Sequence, residues 1–272
     1  LSGSRFEVIP LKNLNQQLND FPPNADVTVT CSPKKGIQKT LDLTKQLSEL
    51  NLNLNIIPHI AARMVRDDEH LDNILKQLDD LKIKDVFLPG GDIETPAGQF
   101  TSSLEVLQAI SKKEHSIEHI GITGYPEGHP LISEEALNEA LNEKSKYADY
   151  MVTQMCFDNA TIIKWLRDKR EQGITIPAYI GLPGAVERKK LIEISLKLGI
   201  GQSVSFLKKN MSLVKSFFGF GGVASTTDAL VDDFLSAMNK EKDLNVKGFH
   251  VYTFNQVQST FEWWKQKREK MK

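Results

Sequence analysis

The sequence predicts an α/β fold of the (β/α)8, or TIM barrel, class, and two observations lead to this prediction. Eight short apolar runs end in polar clusters, and most of them precede a stretch with helical periodicity. The chain has 272 residues, a usual length for eight strand–helix units. Strands that alternate with helices in this way pair in parallel. The predicted strands are Phe6–Pro10, Val27–Cys31, Leu54–His59, Val86–Leu88, His119–Thr123, Tyr150–Thr153, Ala178–Ile180 and Gly248–Thr253.

The helices between these strands are predicted from the spacing of apolar residues and from caps. Leucines within Thr40–Leu50 lie close to an i, i+3, i+4, i+7 pattern, which indicates a helix with one apolar face. Ser133 precedes two glutamates and leucines at helical spacing, which is typical of an N-cap. Asp158 predicts another N-cap, and Gly173 predicts the end of the helix that follows it.

The connection between the seventh and eighth strands is longer than the others. Its pattern predicts helices at Val204–Lys209, Met211–Phe218 and Thr226–Met238. We therefore expect extra helices between strands seven and eight, where they could form a wall of a substrate site. We expect the whole chain, residues 1–272, to form a single barrel domain.

Composition restricts the possible partners and location. The net charge is −1, so no basic excess points to nucleic acid. No apolar stretch approaches the length of a membrane span, and no signal peptide is visible. The chain begins with Leu1 rather than methionine, so we expect its natural start to be missing or replaced. Only Cys31 and Cys156 are cysteines, which argues against a disulfide framework and favours the cytoplasm.

The barrel prediction indicates where functional residues should lie, because active sites of this fold are built at the C-terminal ends of the strands. The polar residues, glycine and aromatic residue at those predicted ends are Glu7, Thr30, His59, Asp92, Tyr125, His129, Gln154, Gly181 and Asn255.

Two loops carry the strongest patterns. Pro89-Gly90-Gly91-Asp92 would let the backbone approach a ligand closely, or it forms only a tight turn with an aspartate cap. It lacks the third glycine of a dinucleotide fingerprint. The segment Gly124–Pro130 combines an aromatic ring, a carboxylate and an imidazole between two prolines, a mixture that favours a functional loop. Gln154 could read the edge of a heterocycle, or it is a hydrogen-bonded amide inside the barrel.

Glu7 is the leading candidate for acid catalysis. A carboxylate pointing into a barrel mouth should have its pKa raised by burial, which suits a general acid, although a solvated glutamate at a strand end is the simpler interpretation. His59 is either a ligand contact or a satisfied core histidine. Arg63 and Arg66 could meet phosphate or simply be solvated. No close pair of ligands supports a metal site, and no Gly-x-Ser-x-Gly elbow supports a serine hydrolase.

The order of these motifs resembles the methylenetetrahydrofolate reductase family over nearly the whole chain. Each of six segments is similar to a family motif, and their agreement in order is more specific than any one of them. They are Phe6-Glu7-Val8-Ile9-Pro10, Pro58-His59, Gly91-Asp92, Tyr125-Pro126-Glu127-Gly128-His129-Pro130, Thr153-Gln154 with Phe157-Asp158, and Phe249-His250-Val251-Tyr252-Thr253-Phe254-Asn255.

This resemblance implies a barrel that holds FAD at its mouth and reduces 5,10-methylenetetrahydrofolate to 5-methyltetrahydrofolate with NADH or NADPH. Glu7 would assist protonation and stabilise a cation, and Asp92 and Gln154 would bind the pterin ring. The charge of Asp92 would also act on the flavin. The residues that the resemblance assigns to FAD are Thr30, His59, Gly91, Tyr125, His129 and Lys144. It implies a folate substrate and allows a homo-oligomer, with no nucleic acid, membrane or metal.

Two departures from the family pattern leave alternatives open. Gly90 stands where flavin-bound relatives have an arginine before Gly-Asp, and Lys144 aligns with the flavin-side lysine only across a gap. Loss of cationic partners would weaken the grip on the FAD pyrophosphate. The alternatives are a flavin-independent NADH enzyme, an enzyme run in the methyl-oxidising direction, a folate-dependent methyltransferase, and a barrel that only binds folate or flavin.

Overall fold

The computed structural model describes residues 3–185, 222–238, 240–241 and 243–270. In this part of the chain eight parallel strands form one sheet, in the order β3-β2-β1-β8-β7-β6-β5-β4. The strands are β1 (Arg5–Val8), β2 (Asp26–Val29), β3 (Asn55–Pro58), β4 (Asp85–Phe87), β5 (His119–Gly124), β6 (Tyr150–Thr153), β7 (Ala178–Pro183) and β8 (Val246–Tyr252). A parallel bridge between His59 and Phe87 brings β3 beside β4 and nearly closes the barrel. The predicted (β/α)8 fold is confirmed.

Helices alternate with the strands and pack on the outside of the sheet. They are α1 (Gly36–Ser48), α2 (Asp68–Asp80), α3 (Ser103–Ile110), α4 (Glu134–Ser145), α5 (Asn159–Glu171), α6 (Gly222–Met238) and α7 (Val257–Lys270), with 3-10 turns at Lys12–Asp20 and Ala62–Met64. Two predicted caps are confirmed: Ser133 accepts from the Ala136 N–H, and Asp158 accepts from the Ala160 N–H. Gly173 follows α5 with φ +84°, the left-handed conformation that commonly ends a helix.

Several predicted boundaries shift by a few residues. The first helix begins at Gly36 rather than Thr40, and the last helix before β8 begins at Gly222 rather than Thr226. The predicted helices Val204–Lys209 and Met211–Phe218 lie outside the described residues. Within the described ranges, no helix is long and apolar enough to cross a bilayer.

A layer of polar and aromatic side chains fills the N-terminal end of the barrel. Arg5 pairs with Asp85 at 2.8 Å, and its guanidinium lies 4.1 Å from the ring centres of both Tyr150 and Tyr179. The Tyr150 hydroxyl donates to the other Asp85 oxygen at 2.7 Å. Because this end is packed with side chains, the inward groups that can meet a ligand lie nearer the C-terminal ends of the strands.

The first and last strands are joined at that C-terminal end by Asn255. Its side chain accepts from the Ile9 N–H and donates to the Ile9 carbonyl, each at 2.8 Å. Phe254 and Asn255 both take positive φ, 50° and 57°, which turns the chain sharply after β8. Asn255, expected at the mouth as a candidate functional residue, therefore connects the loop after β1 to the loop after β8.

Candidate active site

Glu7 lies on the inner face of β1, and both of its carboxylate oxygens are engaged. Thr30, just after β2, donates its hydroxyl to Oε1 at 2.8 Å. His250 on β8 contacts Oε2 through Nε2 at 2.8 Å. The side chain of Glu7 is 13% exposed, so the carboxylate is largely withdrawn from water. The interpretation of Glu7 as a solvated strand-end residue is wrong.

The expected direction of the Glu7 pKa is also wrong. Burial raises the pKa of this carboxyl, but the hydrogen bonds from His250 and Thr30, together with the electrostatic influence of the His59 and His250 imidazoles on the carboxylate, outweigh it. The pKa of Glu7 therefore lies below its ordinary value, and the group is ionised at neutral pH.

His59, after β3, is buried against the edge of Phe87, with 4.8 Å between ring centres. Its Nε2 lies 3.9 Å from Glu7 Oε2, beyond hydrogen-bond distance. Burial lowers the pKa of His59 from 6.5 to about 4, against the opposing pull of Glu7. The imidazole is therefore neutral at neutral pH, with a buried Nε2 that has no hydrogen-bond partner in the described part of the chain.

Glu7, His59 and His250 bring three ligand-type atoms within 4.8 Å of one another. Two histidines and a carboxylate could hold a transition metal. His250 and Glu7, however, already satisfy each other through their hydrogen bond. This grouping was not foreseen from the sequence, where no close pair of ligands pointed to a metal site.

Asp92 lies in the loop after β4, and Arg63 organises that loop. The Arg63 guanidinium donates to the carbonyls of Ile93 and Glu94 at 3.1 and 2.5 Å, and to that of Thr101 at 3.2 Å. Arg63 is therefore committed to the backbone of this loop, a role that neither interpretation of the residue from the sequence had considered. Asp92 itself is exposed, and its charge acts on Tyr125 in the loop after β5.

The backbone before Asp92 is suited to close packing at Gly91. Gly91 has φ +94°, and a Cβ there would lie 3.1 Å from the Ala61 Cβ. Gly90 differs, since a Cβ there would meet nothing within 4 Å. A side chain in place of Gly90 therefore has open space in front of it.

Tyr125, His129 and Lys144 come together in one pocket of about 370 Å³ between the loop after β5 and helices α4 and α5. The rings of Tyr125 and His129 meet edge to face, with 5.5 Å between their centres. Lys144 is buried, and burial lowers its pKa from 10.5 to about 8. Among the described residues no carboxylate forms an ion pair with its amine. Trp165 and Lys169 line the same pocket and were not predicted.

Gln154 follows β6 and is half-buried. Its side-chain Oε1 accepts from the Met155 N–H at 2.9 Å, and its backbone N–H donates to the Gly124 carbonyl at 2.8 Å. The side-chain amide is thereby oriented, which leaves its NH₂ as the group directed away from the local backbone. The interpretation of Gln154 as a hydrogen-bonded amide agrees with this geometry, and its contact with a heterocycle stays a prediction.

Sequence reasoning missed His250 and Tyr252, although both lie in a quoted motif. Residues i and i+2 of a strand share a face, so a polar pair two apart inside the apolar run Gly248–Thr253 was a signal for inward-facing groups. Tyr252 lies opposite Glu7 in the register between β1 and β8, and it donates to the Thr153 carbonyl at 3.3 Å. Burial raises the pKa of Tyr252 well above 10, with further contributions from Glu7 and Tyr125.

The structure thus collects several of the predicted residues in two separate groups. One group is centred on Glu7, with Thr30 and His59, and the other is the pocket of Tyr125, His129 and Lys144. Tyr252 relates the two groups electrostatically, because Glu7 and Tyr125 both add to the burial that raises its pKa. Burial raises the pKa of Tyr125 as well, and the charge of Asp92 adds to that increase.

An eight-stranded parallel barrel with a largely buried, ionised carboxylate on the inner face of its first strand belongs to the (β/α)8 class. Within that class, a sequence model of methylenetetrahydrofolate reductase matches residues 11–267. The chain belongs to the methylenetetrahydrofolate reductase family. The matched segment begins after Glu7. The place of Glu7 on the first strand is therefore known from the structure and not from the family match.

Relatives named for the same reaction are modestly similar. A probable methylenetetrahydrofolate reductase (NADH) of Oryza sativa is 25% identical over 81% of this chain and 39% of its own length. Methylenetetrahydrofolate reductase (NADH) 1 of Zea mays is 26% identical over 81% and 40%. A probable methylenetetrahydrofolate reductase (NADPH) of Caenorhabditis elegans is 33% identical over 39% of this chain and 17% of its own length. The chain therefore spans about two fifths of the length of the cereal relatives it matches.

Among solved structures, 2,3-dimethylmalate lyase covers 88% of this chain and 93% of its own, with a TM-score of 0.46 and 8% identity. That likeness is too distant to add to the family assignment.

Proposed function

We propose that this chain reduces 5,10-methylenetetrahydrofolate to 5-methyltetrahydrofolate with electrons from NADH or NADPH. The observation that carries the proposal is the Glu7 carboxylate, ionised and held on both oxygens at the mouth of a barrel from this family. The reaction opens a methylene bridge, so it needs a proton at N10 and produces a cationic carbon–nitrogen group at N5. A carboxylate withdrawn from water can stabilise such a cation strongly, because few solvent dipoles compete with it.

Glu7 has two tasks in this proposal. Its ionised form attracts the developing cation, and its protonated form supplies the proton to N10. The lowered pKa favours the first task at rest, so the proton has to be acquired from solvent during turnover. Asp92 and Gln154 would orient the pterin by accepting from and donating to its polar edge.

The candidate residues outside the Glu7, Asp92 and Gln154 set are suited to binding FAD. Lys144 is a buried amine that no described carboxylate neutralises, and it lines the pocket with Tyr125 and His129. A phosphate group in that pocket would compensate the buried charge. When bound, FAD would accept hydride from the nicotinamide and pass it to the folate. Thr30, His59 and Gly91 would line its path towards Glu7, with the neutral His59 adding no charge.

A flavin-independent version is the second candidate, and Gly90 favours it. Arg63, which donates into the loop that carries Asp92, is committed to the carbonyls of Ile93, Glu94 and Thr101, so it does not replace the missing cation. We also propose a cytoplasmic location. It rests on Cys31 and Cys156, both of which are buried, with no disulfide among the described residues.

The test is anaerobic oxidation of NADH or NADPH with methylenetetrahydrofolate, with and without added FAD, after the absorbance spectrum is recorded. Folate-dependent oxidation that requires FAD is the expected result. Oxidation that proceeds in a colourless protein without FAD would select the flavin-independent version. No oxidation with either nucleotide, with FAD present, would overturn the reductase proposal and favour methyl transfer or simple binding.

A further inference from the structure

The two donors on the Glu7 carboxylate differ in their freedom to move. The Thr30 hydroxyl has a second acceptor, since its Oγ1 lies 3.0 Å from the Val8 carbonyl as well as 2.8 Å from Glu7 Oε1. A hydroxyl hydrogen can rotate between two such acceptors at little cost. Thr30 can therefore donate to Glu7 in one state and accept from it in another.

His250 has no such freedom. Its ring is 1% exposed and meets Tyr252 edge to face, with 4.9 Å between their centres; His59 and Phe87 lie slightly farther away. Its Nδ1 is buried without a hydrogen-bond partner among the described residues. The tautomer that carries its hydrogen on Nε2 suits this environment, because it directs the N–H to Glu7 and leaves no buried donor without an acceptor.

We propose that His250 is a positioning residue that occupies Glu7 Oε2 as a fixed donor and thereby directs the exchangeable proton to Oε1, where Thr30 can accommodate it. The catalytic part of this inference rests on the proposed reductase function. The arrangement explains how one buried carboxyl can be satisfied in both of its protonation states.

In this proposal, the proton that reaches N10 comes from solvent and first binds Glu7 Oε1. The Glu7 O–H then donates to Thr30 Oγ1, and the Thr30 hydroxyl hydrogen turns to the Val8 carbonyl. On transfer, the Glu7 O–H bond breaks and its electron pair stays on Oε1. The N10–methylene bond breaks with its pair on N10, where the new N–H bond forms, and the methylene carbon remains on N5 as an iminium cation. Thr30 then turns back to Oε1.

The test compares His250→Leu, which removes the donor, with His250→Gln, whose side-chain amide can reach the same oxygen. The titratable groups that the described residues bring to Glu7 are His59, His250 and Tyr252. The primary measurement is an infrared titration of the Glu7 carboxyl, assigned by subtracting the spectrum of Glu7→Gln. A chelator is present throughout, because Glu7, His59 and His250 could capture a trace metal. His119→Gln, an exposed histidine at the start of β5, is the matched control.

We expect the Glu7 midpoint to rise by about one pH unit in His250→Leu and to stay near wild type in His250→Gln and His119→Gln. In turnover assays kcat of His250→Leu should fall and its pH profile should shift by the same amount, with KM for folate little changed. An unchanged midpoint in a folded His250→Leu protein would overturn the proposal. If that variant does not fold, a Gln variant that titrates far from wild type would overturn it equally.

Thr30 provides the second half of the test. Thr30→Val removes the hydroxyl and keeps the shape, so the protonated carboxyl loses its acceptor, whereas Thr30→Ser keeps the hydroxyl. We expect turnover to fall in Thr30→Val and to recover in Thr30→Ser; equal activity in both would contradict the role of the hydroxyl. The infrared titration does not require an active enzyme. If the Glu7 midpoint shifts in His250→Leu but the protein never reduces folate, the reductase function is rejected and the coupling of His250 to Glu7 is retained.

Discussion

The guanidinium of Arg5 and the carboxylate of Asp85 meet at 2.8 Å inside the barrel, although they lie 80 positions apart in the chain. Their side chains are 7% and 5% exposed. Removing one partner leaves the other charge buried without compensation, so we expect Arg5→Met to lower the free energy of unfolding by about 3–5 kcal/mol. Urea unfolding measures this change.

The exposed pair Lys39–Asp42 is the matched control, because it has the same 2.8 Å separation with side chains 60% and 39% exposed. Lys39→Met should change the free energy of unfolding by at most about 1 kcal/mol. The double variant Arg5→Met/Asp85→Leu should recover part of the loss. Equal losses in Arg5→Met and Lys39→Met would show that burial does not set the strength of the inner pair.

His59 should make the stability depend on pH. Its pKa is about 4 in the folded protein and 6.5 in the unfolded chain, so between these values the unfolded chain binds a proton that the folded protein does not. Stability therefore falls as the pH falls through this window, by about 2 kcal/mol between about pH 7 and about pH 5. Unfolding of wild type and His59→Gln at both pH values isolates the effect. A slope that persists unchanged in His59→Gln would assign it to other groups.

Glu7→Gln should cut turnover by about two orders of magnitude or more, the scale of general acid catalysis, and leave folate affinity nearly intact. The amide keeps the shape but cannot ionise or supply the proton. Steady-state kinetics and folate binding measure the two quantities separately. Glu135→Gln, in the exposed first turn of α4, is the control. Unchanged turnover in Glu7→Gln would remove this residue from the mechanism.

Asp92→Asn should weaken folate binding and change any flavin potential, because it removes a charge from the loop at the mouth. Arg63→Met should weaken folate binding as well, since three carbonyls of the same segment lose their donor. The two variants are distinguished by the flavin potential, which Arg63→Met should alter less. Folate titration and a reductive titration provide the measurements, and normal values of both quantities in Asp92→Asn would refute its assignment.

FAD affinity should respond in opposite directions to changes at two sites. Lys144→Met should weaken binding because the buried amine is lost, and the affinity of wild type should fall as the pH rises above about 8. Gly90→Arg should strengthen binding, since the position is open and a guanidinium pairs well with phosphate. Fluorescence titration with FAD measures both. An FAD affinity unaffected by Lys144→Met would remove that lysine from the cofactor site.

Much of the fold could be predicted because local signals decide it. Strand positions follow from apolar runs, and the caps at Ser133 and Asp158 follow from side chains that bond their own helix. The start of α1 was placed too late in the chain. No side chain caps this helix, and its first turn is marked only by the buried Ile37. The candidate site residues could be named from the sequence because parallel strands bring their C-terminal ends together.

The chemistry of the site could be predicted less well, because it depends on contacts between distant strands. The pKa of Glu7 is lowered by Thr30, just after β2, and by His250 on β8. No local sequence pattern predicts that these two residues contact the two oxygens of Glu7. Arg63 was misread for a similar reason, since its partners lie some 30 residues further along, in a loop without regular structure.

The hydrogen bonds between Asn255 and Ile9 place the loop after the first strand beside the loop after the last strand. Glu7 belongs to the first strand and His250 to the last, so a ribosome-bound chain that has emerged only as far as β7 holds the acid without its fixed donor. The hydrogen bonding of Glu7 is therefore completed only once β8 has emerged, and a product terminated after β7 would retain the earlier strand-end loops without the His250 contact.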